Sequence, residues 1–152
     1  MPELIKLEEA LEGIMEGIVE AIRTSRTLDH VKNIIYGDKS KPGPTPPTLW
    51  IRGLQARPNH SQRSYAEKWE FDVLIMAIVK NSDPEKSYKE ANALAARARS
   101  AVLRDRTLGK RRYVQDVRSG TFEPSGPDMR NESLSAATAV IQVHFVILEE
   151  NP

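Results

Sequence analysis

A chain of 152 residues with 39% hydrophobic side chains holds enough apolar material for one ordinary core and reads as a single domain. Its net charge of +1 excludes a chain that works by bulk charge, and the absence of cysteine excludes disulfides, thiolate metal sites and a cysteine nucleophile. No apolar run reaches the roughly 20 residues of a membrane span, because even Ala136 to Leu148 is broken by Thr138, Gln142 and His144, and the N-terminal residues lack the basic start and apolar run of a secretory signal. No membrane partner is expected, and the setting is a cytoplasm.

Leu4, Leu7, Leu11, Ile14, Ile18 and Ile22 recur at alternating spacings of three and four, with Met15 and Val19 widening the stripe. This predicts an amphipathic N-terminal helix whose outer side carries Glu8, Glu9, Glu12, Glu16 and Glu20. Val31 to Tyr36 is a short β-prone run. From Gly37 to Thr48 the chain carries Pro42, Pro44, Pro46 and Pro47, a composition that denies helix and predicts an exposed loop. Thr48 to Leu54 resumes a strand, and the polar Ala56 to Ser64 reads as loop again.

Tyr65 to Lys80 is a strong strand with Trp69, Phe71, Val73, Ile75, Ala77 and Val79 on one face. On its other face Glu70 and Asp72 give way to Leu74, Met76 and Ile78, so its second half is expected to be buried on both sides. Ser82 or Asp83 followed by Pro84 is a helix-start signal, and the helix runs to about Leu103 with Tyr88, Ala91, Leu94, Ala95, Ala98, Ala101 and Val102 inward. Tyr113 to Phe122 follows as an irregular strand, Glu123 to Glu132 as a loop, and Leu134 to Glu149 as a second long strand with Ala137, Ala139, Ile141, Val143, Phe145 and Ile147 on its core face. The order predicts an α+β fold: a mainly antiparallel sheet packed by an N-terminal helix and a central helix.

Reactive groups are scattered. His30, His60 and His144 lack partners at the spacing of a helical metal site, and neither a phosphate-binding glycine loop nor a Gly-x-Ser-x-Gly elbow occurs. No catalytic, cofactor-binding or metal residue is assigned, and the chain is expected not to be an enzyme. His144 lies among apolar strand residues, which points to a hydrogen-bonded structural histidine. Charge is more informative. The acidic first helix contrasts with Arg97, Arg99, Arg104, Arg106, Lys110, Arg111, Arg112 and Arg118, a contrast that suits one copy of the chain meeting another; ordinary solvated faces would look the same. The basic segment with Tyr113 also fits contact with successive phosphates, although basic residues after a helix are favoured by the helix dipole as well.

The long strand KWEFDVLIMAIVKN, the helix DPEKSYKEANALAARARSAVLRD, the irregular YVQDVRSGTFEPSG and the closing strand SLSAATAVIQVHFVILEE together resemble the tail-terminator or tail-completion proteins of long-tailed bacteriophages. The resemblance extends more loosely to the N-terminal helix and TLWIRGL; the proline-rich 41–47 loop departs from it. It implies a ring, usually hexameric, that sits on the finished tail tube, halts its polymerisation and joins the head–tail connector. The implied partners are other copies of the chain, the tail tube protein and the connector protein, with no specific nucleic-acid contact beyond genome passage. The implied location is the neck region of the virion tail, reached from the host cytoplasm during assembly. Candidate subunit-interface residues are Glu9, Glu12 and Glu16 on one side and Arg106, Arg111 and Arg112 on the other, with the loops at 37–48, 55–64 and 123–133 for docking. The alternatives are another neck or head–tail connector protein and a basic nucleic-acid-binding domain.

Overall fold

Two long strands paired in perfect alternation form the centre of the molecule. The structure, a computed structural model, describes residues 5–29, 31, 33–36, 47–59, 66–125 and 134–148. Helix α1 spans Leu7–Arg23 and is followed by a short 3-10 turn at Arg26–Leu28. Strands β1 (Asn33–Tyr36), β2 (Thr48–Asn59) and β3 (Ala66–Lys80) precede helix α2 (Pro84–Leu103), and β4 (Val114–Glu123) and β5 (Leu134–Leu148) close the fold. The five strands make one sheet in the order β1-β2-β3-β5-β4, with β1–β2 parallel and every other pair antiparallel. The fold is therefore α+β with a mainly antiparallel sheet, as the order of elements predicts.

Alternation places one apolar row of each long strand on the same side. Val73, Ile75, Ala77, Ala137, Ala139, Ile141, Val143, Phe145 and Ile147 are all fully buried there, and Trp69 stacks on Phe145 with ring centroids 6.4 Å apart. Both helices cover this inner face. From α1 come Ala10, Ile14, Ile18 and Ile22, and from α2 come Ala91, Leu94, Ala95, Ala98 and Val102, all in the same hydrophobic cluster as the strand residues. The alanines let α2 lie close, and Ser87 replaces the expected Tyr88 as the inward residue of its first turn. Asp83 supplies the cap, accepting a hydrogen bond from the Glu85 amide at 3.1 Å, with Pro84 at the first helical position.

Two expectations are corrected. The stretch after Leu54 is strand as far as Asn59: Ala56, Arg57, Pro58 and Asn59 pair with Phe71, Glu70, Trp69 and Lys68. A bulge between Gly53 and Gln55 shifts the pairing by one residue, and a Cβ at Gly53 would fall 2.8 Å from the Phe71 ring. Beyond Ile51 this strand has no β1 partner, and such an edge tolerates Pro58. Second, Leu74, Met76 and Ile78 are half-buried, not covered, because both helices lie on the other face. Leu4, Tyr65, His30, His60 and the proline-rich 41–46 stretch lie outside the described residues, as do residues 37–46, 60–64 and 126–133 of the proposed docking loops.

Replacing Phe145 with Ala should cost about 3–5 kcal/mol in chemical denaturation, the range for a fully buried aromatic side chain. Leu54→Ala, at a side chain 43% exposed, should cost less than about 0.5 kcal/mol. Equal effects at the two sites would invert the faces assigned to the sheet.

Candidate interaction surfaces

The outer face of the sheet is divided along the strands into an apolar half and a polar half. In the apolar half Trp50 pairs with Met76, Leu74 with Val140, and Ile78 with the exposed Ala136, so mostly half-buried side chains form a strip across three strands. The Arg52 guanidinium lies 5.7 Å from the Trp50 ring centroid, a cation–π contact at the strip's border. No described helix covers this apolar row, so its side chains stay partly in contact with solvent.

In the polar half the register lines Arg57, Glu70, His144 and Asp116 across four strands, with Gln55, Asp72, Gln142 and Arg118 in the adjacent row. Arg57 reaches Glu70 at 3.2 Å and Asp72 at 3.6 Å, and Asp72 also accepts hydrogen bonds from Gln55 and Gln142, each at 3.3 Å. His144, with its side chain 19% exposed, meets Gln142 Oε1 through Nε2 at 2.8 Å and stands 4.0 Å from Glu70. It has the partly buried, hydrogen-bonded setting that its strand position implies. Arg118 bonds Asp116 at 2.9 Å, and this bond, ahead of the Val117 amide and the charge of Arg106, holds the Asp116 carboxyl below its ordinary value. Each carboxylate in the two rows has a cation or polar side chain beside it, an arrangement that fixes strand register. Among the described residues no group of three His, Asp or Glu side chains is placed to hold a metal ion.

The opposite layer carries the candidate charged residues. Glu9, Glu12 and Glu16 are exposed along α1, and Arg106 and Arg112 are exposed in the segment that joins α2 to β4. Arg111 is placed differently. Its side chain is 20% exposed, its guanidinium donates to the Leu108 carbonyl, and it stands 3.9 Å from Glu20 of the same chain. Gly13 and Gly17 make the approach possible: a Cβ at Gly17 would fall 3.0 Å from Leu108 Cβ and 3.1 Å from an Arg111 nitrogen, and one at Gly13 would strike the Tyr113 hydroxyl. Part of the acidic–basic contrast is thus closed inside one subunit. The two glycines, four apart in the acidic helix, were a signal of close approach that charge reading alone passes over.

The same segment turns through Leu108, Gly109 and Lys110 with φ of 50°, 79° and 63°. Left-handed backbone is unfavourable for Leu and Lys, so it needs compensation. Burial of Leu108, 1% exposed, supplies one part. Asp105 supplies another, accepting from the Gly109 amide at 2.6 Å and from the Thr107 amide and hydroxyl at 3.0 Å each. The Gly109 amide bond is the chief reason that the Asp105 carboxyl lies below its ordinary 3.8.

No protein-family model matches the chain, and no curated protein matches it.

Arg111→Glu should destabilise the fold by about 2–4 kcal/mol, because it places a carboxylate against Glu20 and the Leu108 carbonyl, whereas Arg112→Glu should stay within about 0.5 kcal/mol of the parent in the same urea titration. Equal effects would show that Arg111 is not built into the α1 contact. Asp105→Asn should lose about 1–2 kcal/mol at neutral pH through weakened turn hydrogen bonds. Because the folded carboxyl is depressed, its contribution is present above the unfolded value near 3.8 and lost as pH falls through the lower folded value. The Asn variant should therefore show a shallower loss of stability below pH 3.8 than the parent, and parallel acid profiles would refute the assignment.

Proposed function

We propose that this chain is a structural subunit of a bacteriophage tail, one copy of a homo-oligomeric ring that caps the tail tube, stops its polymerisation and joins it to the head connector. The observation that carries the reading is the half-buried strip of Trp50, Leu74, Met76, Ile78 and Val140 on a sheet whose other face carries the packed core. Among the described residues nothing covers this strip fully, and an assembly gains by covering the rest of it. The α+β architecture and the order of its elements agree with the resemblance to tail-terminator proteins. In this reading the rigid sheet is the body of the subunit, its outer face is turned to the tube, and the helical layer with its exposed Glu9, Glu12, Glu16, Arg106 and Arg112 faces neighbouring copies. The work is done by contact and needs no reacting group.

The basic nucleic-acid-binding alternative draws on the exposed Arg104, Arg106, Lys110 and Arg112. Two features weaken it: the Arg111 guanidinium is turned to its own chain and donates to the Leu108 carbonyl, and the Asp105 carboxylate sits inside the basic segment.

Light scattering on the eluted protein across micromolar concentrations, with negative-stain imaging, tests the reading. A discrete multiple of the 17.1 kDa subunit mass and closed rings are expected. A monomer at every concentration that shifts a DNA or RNA probe at physiological salt would replace it with the nucleic-acid reading.

A further inference from the structure

We propose that α1 of one copy lies against a groove on α2 of the next, with Glu9, Glu12 and Glu16 facing Lys80, Lys89 and Arg97. This rests on the ring reading above and names its lateral contact. The groove, of about 470 Å³, runs between α2 and the end of β3; Val79, Ala93 and Leu94 form its apolar floor, and Lys80, Lys89 and Arg97 stand at its rim. Ala93 leaves the middle of the α2 face low, so a second helix approaches closely between the flanking cations.

The occupant is identified by charge and spacing. Glu9, Glu12 and Glu16 project from α1 within about 60° of arc and span about 10 Å along the helix, while Lys89 and Arg97 stand about 12 Å apart on α2 with Ala93 between them. None of the three glutamates has an ion pair among the described residues, and neither Lys80 nor Arg97 has one. Lys89 does bond Glu85 at 3.1 Å, but both side chains are more than 70% exposed, and such a pair exchanges readily for a new partner. Glu90, the one acid lining the groove among the described residues, already accepts from the Asn81 side-chain amide at 3.2 Å. The cations of the α2–β4 segment are a poorer match, since the Arg111 side chain is only 20% exposed and donates to the Leu108 carbonyl of its own chain. The acidic surface and the basic groove are different parts of one subunit, so the contact is head-to-tail and closes into a ring when the rotation between copies permits.

The experiment uses two charge-reversed chains. One carries Glu9→Lys, Glu12→Lys and Glu16→Lys; the other carries Lys80→Glu, Lys89→Glu and Arg97→Glu. Each alone places like charges across the contact and should associate on the order of a hundredfold more weakly than the parent in light scattering, with its circular dichroism unchanged. Mixed in equal amounts, each chain finds its complement on the other, and association should return in the mixture. Parent assembly should also weaken as salt is raised. Assembly of either variant at parental strength would overturn the contact while leaving the ring reading in place, provided the parent forms rings. Loss in both variants without recovery in the mixture would overturn the pairing of these two surfaces. A parent that is monomeric throughout would overturn both the contact and the ring.

Discussion

The antiparallel pairing of β3 with β5 is the constraint from which the rest of the structure follows. Register runs without a break from Ala66 opposite Leu148 to Lys80 opposite Leu134, each strand contributing 15 residues. Side chains alternate with a period of two, so this one register aligns Phe71, Val73, Ile75 and Ala77 with Val143, Ile141, Ala139 and Ala137 on a single face. A slip of one residue would move every one of them to the other side. The neighbours are less regular: β2 and β4 join this pair through bulges, at Gly53/Gln55 and at Val114/Asp116 and Ser119/Phe122. Irregularity is thus confined to the strands outside the central pair, where it bends the sheet without disturbing the core.

The unbroken inner face also decides where the helices sit. Their apolar stripes have one large apolar surface to cover, and α1 and α2 both lie there. The outer face is left to its own side chains. Its polar half is tied together by Arg57, Glu70, Asp72, Gln142 and His144, while its apolar half keeps Trp50, Leu74, Met76 and Ile78 partly in contact with water. A sheet covered on one side presents a firm, two-toned surface to whatever it meets, which is the property a docking subunit needs.

Much of this was legible in the sequence, and the exceptions have physical reasons. The alternation in Trp69–Val79 and Ala137–Ile147, the three-four spacing of Leu7 to Ile22, and the Asp83-Pro84 start are local signals, and each corresponds to an observed element. The continuation of β2 through Gln55 and Arg57 was not legible, because its support comes from Asp72 and Glu70 on another strand and its composition is that of a loop. Leu74, Met76 and Ile78 misled for a related reason: apolar residues on both faces look alike whether the second face is covered by the same chain or left for another. The charge asymmetry was visible, but the Arg111–Glu20 approach depends on Gly13 and Gly17 facing a turn nearly a hundred residues later, which no local pattern encodes.

In the proposed reading the protein acts by where its surfaces bring other proteins, and its defining property is that it ends a tube. The direct measurement is the length distribution of tubes formed by the cognate tail tube protein, imaged by electron microscopy with and without this protein present from the start. Growth should halt at substoichiometric amounts, with ring-shaped density at one end of each finished tube. Tubes of undiminished length with bare ends, in the presence of folded protein in excess, would contradict the account.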